Sequence, residues 1–339
     1  MIIDLRSDTV TRPTPAMKEA MFNAAVGDDV FGEDPTINAL QDKAAKMFGM
    51  EAALFCTSGT QTNQIAIKTH TRPGDEVILD RYSHVYYYEG GGIAFNSGAS
   101  VCLLEGDKGR ITARQVLDHI NDTSDAHRPL TRLVEVENTM NKGGGSIYDF
   151  NELKKIHEVC RKLDLGYHLD GARLFNALVE TKESPKAYGK LFDSISICLS
   201  KGLGAPVGSL LLGSKEFIRK AHRVRKVFGG GMRQAGFLAA AGIYALDHHI
   251  ERLKEDNDRA KVIGKILEGL PYVDGVVPVE SNMVFFTLAS SLPGMQFLSK
   301  LKDNDIHALS LSQQTIRFVT HLDFTEDMMD KLIKVLKSI

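Results

Sequence analysis

A lysine and an aspartate, each at the end of an apolar run, are the residues of this chain best placed to do chemistry. Lys201 follows residues 196–200 and precedes Gly202, and Asp170 lies 31 positions earlier (201 − 170) in His168-Leu-Asp-Gly-Ala-Arg173. A lysine amine can form a Schiff base with a cofactor aldehyde, and a carboxylate can hold a proton on a pyridine nitrogen. The pair therefore predicts a site for pyridoxal phosphate, whose protonated ring accepts an electron pair.

The phosphate of such a cofactor needs a helix N-terminus with small residues, so that backbone N–H groups can approach it. The segment Cys56-Thr-Ser-Gly-Thr-Gln61 offers this turn, because Gly59 lets it close and the hydroxyls of Ser58 and Thr60 can donate. Arg233 follows three consecutive glycines and a methionine, and its guanidinium suits a dianionic phosphate, either in its own subunit or in a neighbouring one. A flexible loop is the structural alternative for this glycine segment.

Each of these residues has a structural reading when it is taken alone. Asp170 could cap Gly171-Ala172, Lys201 could be a solvated loop lysine, and His84, among tyrosines, could be a satisfied structural histidine. The combination with Arg173 favours the cofactor site, since perturbed charged groups cluster at functional sites. In that site the imidazole of His84 would stack on the pyridine ring or relay a proton.

The segments around these residues alternate in the manner of an α/β sheet covered by helices. Strands are predicted at residues 52–57, 76–79, 133–136, 167–170, 194–200 and 208–213, the last as an antiparallel or edge strand. Helices are predicted at 60–68, 149–162 and 235–246. Because ligands gather at the carboxyl ends of strands in open α/β sheets, Asp170 and Lys201 are expected to converge.

The helix at 149–162 carries the clearest end signals. Asp149 and Glu152 have the spacing of a capping box, and Gly166 is placed as a C-terminal stop. After residue 245 the residue pattern changes. It predicts a long charged helix (247–267), strands at 275–279, 283–288 and 316–319, and a terminal helix at 326–337. We therefore expect an N-terminal arm and large cofactor-binding domain (1–248) and a smaller α+β domain (249–339).

Composition excludes several classes of protein. The 339 residues are 43% hydrophobic and 25% charged with a net charge of −2, which favours neither nucleic acid nor an anionic membrane as a partner. The basic segment 215–226 is better explained as a solvated helix or oligomer contact than as a nucleic-acid face. The start lacks a signal-peptide pattern and the longest apolar run is too short to span a bilayer. Four cysteines without C-x-x-C spacing indicate reduced thiols, a cytoplasmic location and no metal site.

Segments distributed over nearly the whole chain resemble the motifs of threonine aldolases. They are Asp4–Pro13, Gly27–Thr36, His168–Arg173, Leu199–Gly202, Gly229–Gly236 and Arg317–His321. The resemblance implies a fold-type-I pyridoxal phosphate enzyme, similar in fold to aspartate aminotransferase and to the β-eliminating lyases. It implies cleavage of L-threonine or L-allo-threonine to glycine and acetaldehyde.

The resemblance also assigns roles to side chains around the cofactor. It implies that Lys201 carries the Schiff base, that Asp170 pairs with the pyridine nitrogen and that His84 stacks on the ring. The other residues that it assigns to the cofactor are Arg173 at the ring oxygen, Gly59 and Thr60 (with Ser58) at the phosphate, and Arg233 from a partner subunit.

The substrate is assigned a second group of residues by the same resemblance. Ser7 and Arg317 would grip the amino-acid carboxylate, with Arg173 as a further candidate. His127 falls where the family often has a histidine facing the substrate hydroxyl. The base that takes the hydroxyl proton would be His84 or His127, directly or through water.

Three departures from the family pattern bear on specificity. Met140 stands where many members have His, Phe31 where Tyr is common, and Lys142-Gly-Gly-Gly145 is unusually rich in glycine. They affect the expected preference between threo and allo substrates and the range of side chains, but not the cofactor.

Two other functions compete with the aldolase. One is a different pyridoxal phosphate reaction on the same fold, a β-elimination or a transamination, because fold alone does not decide chemistry. The other is a noncatalytic interaction module, which would purify without a coloured cofactor. A site completed by Arg233 of a neighbour requires at least a dimer, and the family resemblance implies a homotetramer.

Overall fold

The structure, a computed structural model, describes residues 1–339. Its strands are β1 (Ile3–Asp4), β2 (Ala52–Cys56), β3 (Asp75–Asp80), β4 (Ser100–Leu104), β5 (Leu130–Glu137), β6 (Gly166–Gly171), β7 (Ser194–Cys198), β8 (Ser209–Gly213), β9 (Val273–Val276), β10 (Met283–Leu288), β11 (Ile306–His307), β12 (Leu309–Ser310) and β13 (Thr315–Val319).

The α-helices separate these strands along most of the chain. They are α1 (Pro15–Phe22), α2 (Pro35–Phe48), α3 (Gly59–His70), α4 (His84–Tyr87), α5 (Ala113–Asp118), α6 (Phe150–Lys162), α7 (Leu174–Thr181), α8 (Pro185–Gly189), α9 (Lys215–Val227), α10 (Gly236–His248), α11 (Leu253–Glu268), α12 (Gly294–Lys302) and α13 (Glu326–Ser338). Not one of them has both the length and the apolar character that crossing a membrane requires.

A seven-stranded sheet forms the larger part of the molecule. Its strand order is β2-β8-β7-β6-β5-β3-β4, and every strand except β8 runs parallel to the others. The antiparallel direction predicted for β8 is confirmed, but β8 lies between β2 and β7 and is not an edge strand. The parallel strands place the carboxyl ends of β5, β6 and β7 along one edge, where the site is built.

The helix ends follow from local polar groups, and one predicted set of end signals is wrong. Asp149 caps α6 by accepting from the backbone N–H of Asn151, whereas the Glu152 carboxylate accepts from the N–H of Ala113 and leaves the capping box unformed. The helix ends at Lys162, and Gly166 opens β6 instead of stopping α6. Packing of α6 on the preceding segment outweighs the local capping preference.

A smaller antiparallel sheet of order β12-β13-β10-β9 packs on α11, α12 and α13. The charged helix predicted at 247–267 is present as α11 but begins later, because the chain first turns after α10, where the His249 imidazole bonds the Leu203 carbonyl at 2.7 Å. The small core also buries Ile3 and Leu5, since β1 pairs with β11. The domain division near residue 248 stays a prediction, with its boundary in this turn.

Candidate functional site

Asp170 and Lys201 lie at the carboxyl edge of the large sheet, as neighbouring parallel strands require. Asp170 is 1% exposed at the end of β6, where its Oδ1 accepts from the Ala172 N–H at 3.0 Å and its Oδ2 from Asn63 Nδ2 at 2.7 Å. Lys201 follows β7 and is partly buried, and its ammonium has neither a hydrogen bond nor a salt bridge within the chain. Its charge contributes to the lowered pKa of Asp8. The unpaired amine of Lys201 therefore lies near the buried Asp8 carboxylate, just after the strand that neighbours the one ending in Asp170.

The N-terminus of α3 forms a cradle for an anion. Ser58 is its extended N-cap residue, whose Oγ accepts from the Gln61 N–H at 3.1 Å, and the first N–H groups of the helix have no intrahelical partner. A Cβ on Gly59 would lie 2.6 Å from Cys198 Sγ, so only glycine lets the helix start this close to β7. Thr60 is exposed on the first turn. Free N–H groups and two hydroxyls fit a cofactor phosphate.

His84 is the first residue of α4 and lies close to Asp170. Its Nδ1 lies 3.0 Å from Glu89 Oε1, and the ligand atoms of His84, Glu89 and Asp170 all lie within 4.8 Å of one another. Because an ionised carboxylate only accepts, Nδ1 carries the proton and Nε2 is left as the acceptor. Burial opposes the imidazolium, but the Glu89 hydrogen bond and the charges of Asp170 and Glu137 raise the pKa of His84 above its usual value.

Glu137, the last residue of β5, connects His84 to a second part of the site. Its Oε2 accepts from the backbone N–H of His84 at 2.8 Å, and its Oε1 accepts from the N–H of Asn141 at 2.9 Å. The Asn141 Oδ1 then accepts from Arg317 Nη1 at 3.1 Å. Burial and the charge of Asp170 raise the pKa of Glu137 to about 7. The Glu137 carboxylate thus holds both the His84 backbone and the Asn141 backbone, whose side chain contacts Arg317.

Arg317 reaches the site from β13 of the smaller sheet. Its Nη2 donates to the Arg6 carbonyl at 2.8 Å, beside Ser7, while its Nε is buried without a partner. Burial and the neighbouring Arg173 lower the pKa of Arg317. A bound carboxylate would supply both the missing acceptor and the opposite charge, which fits the predicted grip on an amino acid.

Arg173 is held by Asp8, a residue that the sequence interpretation passed over. Its Nε and Nη2 donate to the two Asp8 oxygens at 2.7 and 2.6 Å, which leaves Nη1 as the free donor. Asn282 also donates to Asp8, at 3.2 Å. Although burial opposes ionisation, Arg173 and Lys201 lower the pKa of Asp8 to about 2. Asp8 therefore stays ionised and fixes the arginine beside Lys201.

Two predicted site residues do not meet this group within the chain. His127 precedes the start of β5, at the opposite edge of the sheet, where its side chain is 96% exposed and its Nδ1 lies 2.9 Å from Asp125 Oδ1. Arg233 pairs with Asp28 at 2.9 Å and is half-exposed. Neither side chain is brought to Asp170 by its own subunit.

The three departures from the family pattern occupy different surroundings. Met140 is fully buried, and Phe31 is 73% exposed. Lys142 lies next to Asn141 and holds its ammonium 3.5 Å from the centroid of the Tyr87 ring. Met140 and Lys142 flank Asn141, the residue that contacts Arg317, whereas Phe31 lies in a different segment of the chain.

Several polar residues of the site were missed from the sequence. They are Asp8, Asn63, Glu89, Glu137 and Asn141. Glu137 directly follows the predicted strand 133–136, so the strand-end rule applied to Asp170 could have found it. Asn63 lies inside a helix, where no local pattern distinguishes it.

Comparison with known proteins places the chain among pyridoxal phosphate lyases. The sequence pattern of the family described as "Beta-eliminating lyase" matches residues 4–291. The low specificity L-threonine aldolase of Escherichia coli K12 is 42% identical over 330 residues, which cover 97% of this chain and 96% of that protein. Low-specificity L-threonine aldolase 1 of Arabidopsis thaliana is 41% identical over 332 residues, covering 95% of this chain and 92% of that protein.

Solved structures agree on the fold. A threonine aldolase of Leishmania major superposes with a TM-score of 0.86 at 22% identity and covers 99% of both chains. A putative L-allo-threonine aldolase of Listeria monocytogenes gives a TM-score of 0.80 over 99% of this chain and 96% of the other, at 22% identity. The predicted fold class, family and cofactor are confirmed by these relationships.

Proposed function

This chain belongs to the threonine aldolases of the β-eliminating lyase family, and on that premise we propose that it cleaves L-threonine and L-allo-threonine to glycine and acetaldehyde. It is a pyridoxal phosphate-dependent lyase. One observation carries the residue assignment: a buried carboxylate (Asp170) lies next to the imidazole of His84, and an unpaired amine (Lys201) follows the neighbouring parallel strand at the same edge of the sheet.

Four parts of the chain would hold the cofactor. Lys201 supplies the amine for its aldehyde, and Asp170 supplies the carboxylate for its pyridine nitrogen. The N-terminus of α3, with Ser58, Gly59 and Thr60, supplies N–H and hydroxyl donors for its phosphate. His84 would stack on the ring, and Arg173 Nη1 remains for the ring oxygen or the substrate carboxylate.

When bound, pyridoxal phosphate takes up the electron pair released as the Cα–Cβ bond breaks. The chain decides which bond at Cα breaks by fixing the substrate carboxylate. Arg317, whose Nε lacks an acceptor, is the main grip, and Ser7 lies beside the Arg6 carbonyl that holds Arg317 in place. Such orientation can contribute about 7–11 kcal/mol in favourable cases.

His84 is the residue of this subunit best placed to take the β-hydroxyl proton. Its Nδ1–H is committed to Glu89, so its Nε2 is left as the acceptor. A positioned general base contributes about 10²–10⁴-fold. His127 could act only on the site of a neighbouring subunit, because in its own subunit it lies at the far edge of the sheet.

The decisive assay measures products from the four threonine stereoisomers, with and without added pyridoxal phosphate. We expect acetaldehyde and glycine from L-threonine and L-allo-threonine, dependent on the cofactor. A 2-keto acid in their place would identify an eliminating lyase or aminotransferase and overturn the proposal. The ratio of the two L-substrates gives the threo or allo preference.

We further propose that the active form is an oligomer with shared sites, a homotetramer built from such dimers. Support comes from the position of Arg233 outside its own site and from the exposed rings of Phe22, Phe31 and Phe237. Mixing inactive Lys201→Ala and Arg233→Ala subunits should restore activity, because hybrid assemblies contain one intact site. No recovery after proven subunit exchange would exclude a shared site.

We also propose a cellular location and a metabolic role for the enzyme. Four free cysteines, three of them buried, support a reducing, cytoplasmic location. There the reaction would degrade threonine and supply glycine. Fractionation of cells and glycine labelling from ¹³C-threonine test both statements.

A further inference from the structure

A row of hydrogen-bonded side chains crosses the large sheet from its amino edge to Asp170. His70 Nε2 lies 2.8 Å from Ser194 Oγ, which lies 2.8 Å from His168 Nδ1. His168 Nε2 lies 3.2 Å from Asn63 Oδ1, and Asn63 Nδ2 donates to Asp170 at 2.7 Å. Three side chains thus connect His70, the last residue of α3, with the carboxylate assigned to the cofactor.

The direction of every hydrogen bond in this row follows from its end at Asp170. The Asn63 amide donates to two carboxylates, Asp170 and, at 3.0 Å, Glu89. Its NH₂ group is therefore fixed toward them, and its Oδ1 can only accept. The partner of that oxygen, His168 Nε2, must then carry a proton.

The tautomer of His168 determines the remaining two bonds. Burial lowers the pKa of His168 to about 3 and that of His70 to about 4, so both rings are neutral near pH 7. With Nε2 protonated, His168 Nδ1 accepts a hydrogen bond from the Ser194 hydroxyl. The Ser194 oxygen in turn accepts from His70 Nε2–H. All donors point toward Asp170.

We infer that His70, Ser194, His168 and Asn63 act as a positioning chain that holds Asp170 in place toward the cofactor. The inference rests on the proposed function only in taking pyridoxal phosphate as the ligand of Asp170. Aligned hydrogen bonds polarise one another, which strengthens the bond that the Asn63 amide donates to the carboxylate at their end. This positioning chain does not conduct protons to the site, because the Asn63 amide neither gives up nor takes up a proton.

His70, the end of the positioning chain farthest from Asp170, is also tightly packed. A Cβ on Gly166 would lie 2.9 Å from His70 Nδ1, so glycine at that position makes room for the imidazole. The His70 ring also packs on Phe217, with ring centroids 4.6 Å apart. His70 is thereby held with its Nε2 toward Ser194, although it lines a solvent-facing cavity of about 550 Å³ at the amino edge.

Strand β7 offers a matched pair of variants. Ser194 and Ser196 are both fully buried. Ser196 Oγ bonds only Thr62 Oγ1, at 2.6 Å, and so takes no part in the positioning chain. Ser196 is also the register partner of Asp170. Each Ser→Ala change removes one hydroxyl, so mere proximity to Asp170 predicts the larger effect at Ser196, whereas the positioning chain predicts it at Ser194.

The first readout is the dissociation constant of pyridoxal phosphate, measured by titrating apoprotein without substrate. Ser194→Ala should weaken binding about 5-fold, the worth of roughly one hydrogen bond, and Ser196→Ala should leave it unchanged. Equal effects, or a larger effect of Ser196→Ala, would overturn the inference. A failed aldolase assay would not alter this measurement, so the two proposals fail separately.

The second readout examines the hydrogen bonds of the positioning chain directly. In ¹⁵N NMR spectra of the apoprotein near pH 7, His168 should show a protonated Nε2 and an unprotonated Nδ1, and the opposite tautomer would refute the derived direction. His70→Gln keeps a donor near the Nε2 position and should retain cofactor affinity, whereas His70→Leu should lower it. If the Ser194 variant does not fold, the two His70 variants and the NMR assignment decide the matter.

Discussion

The two edges of the seven-stranded sheet differ in how the charged groups near them are paired. At the amino edge, a cavity of about 550 Å³ is lined by His70, Arg161 and Asp193, and the last two form an ion pair with each other. At the carboxyl edge, the Lys201 ammonium and the Arg317 Nε lack partners inside the chain. The difference indicates a ligand at the second edge.

Buried carboxylates sharpen the contrast. Glu89, Glu137 and Asp170 are nearly inaccessible at the carboxyl edge, and each accepts at least two hydrogen bonds. Because a buried charge is costly unless it is paired or hydrogen-bonded, such a group is retained for positioning and electrostatics more readily than for stability.

The largest effect that separates the edges is expected from their lysines. Lys201→Ala should lower aldol cleavage by at least about 10³-fold and abolish the visible absorbance of the bound cofactor, because the amine for its aldehyde is gone. Lys220→Ala, at the amino-edge cleft, should change neither. Retained absorbance with retained turnover in the first variant would remove Lys201 from the site.

The next effect concerns the two arginines. Arg317→Ala should raise the KM for L-threonine about 100-fold, because charge-assisted hydrogen bonds to the substrate carboxylate are lost. Cofactor absorbance should persist. Arg161→Ala removes an ion pair at the amino edge and should leave the KM unchanged. An unchanged KM in the Arg317 variant would place the substrate carboxylate elsewhere.

The parts of this site that the sequence predicted are those tied to strand ends. Asp170 and Lys201 terminate apolar runs, and the parallel sheet brings such ends together whatever the loops do. Gly59 was recognisable because a tight turn preceded a helix. These signals are local, and the general topology converts them into proximity.

The remaining residues depend on contacts between distant segments. Asn63 lies 107 positions from Asp170, and Asn141 lies 176 positions from Arg317. No periodicity or spacing records such pairs. The same holds for the turn after α10, where His249 bonds Leu203 and the next helix begins at Leu253 instead of at the predicted residue 247.

Two glutamates on β5 test the role of a hydrogen-bonded carboxylate. Glu137→Gln should raise the KM about 10-fold, because an NH₂ group replaces one of the two side-chain oxygens that accept from backbone N–H groups, which releases either His84 or the Asn141–Arg317 pair. Glu135 is the matched control. Both of its oxygens lack partners, and burial together with Asp170 and Glu137 raises its pKa well above its usual value.

Glu135→Gln should therefore leave KM and thermal stability nearly unchanged, since a neutral carboxyl is replaced by a neutral amide. The effects of Glu137→Gln and Asn141→Ala on KM should be less than additive, because both act through Arg317. Strict additivity, or an equal loss in the Glu135 variant, would reduce Glu137 to a packing residue.

The smallest expected effect is a shift in pH dependence. His84 must be neutral at Nε2 to take a proton, so kcat/KM should rise with pH through the raised pKa of His84. Glu89→Gln removes a charge that favours the imidazolium, so the pKa falls and the acid limb should move to lower pH. Glu76→Gln, a buried carboxylate at the amino end of β3, should leave the limb in place. A limb that both variants leave unmoved would assign the base to a group other than His84.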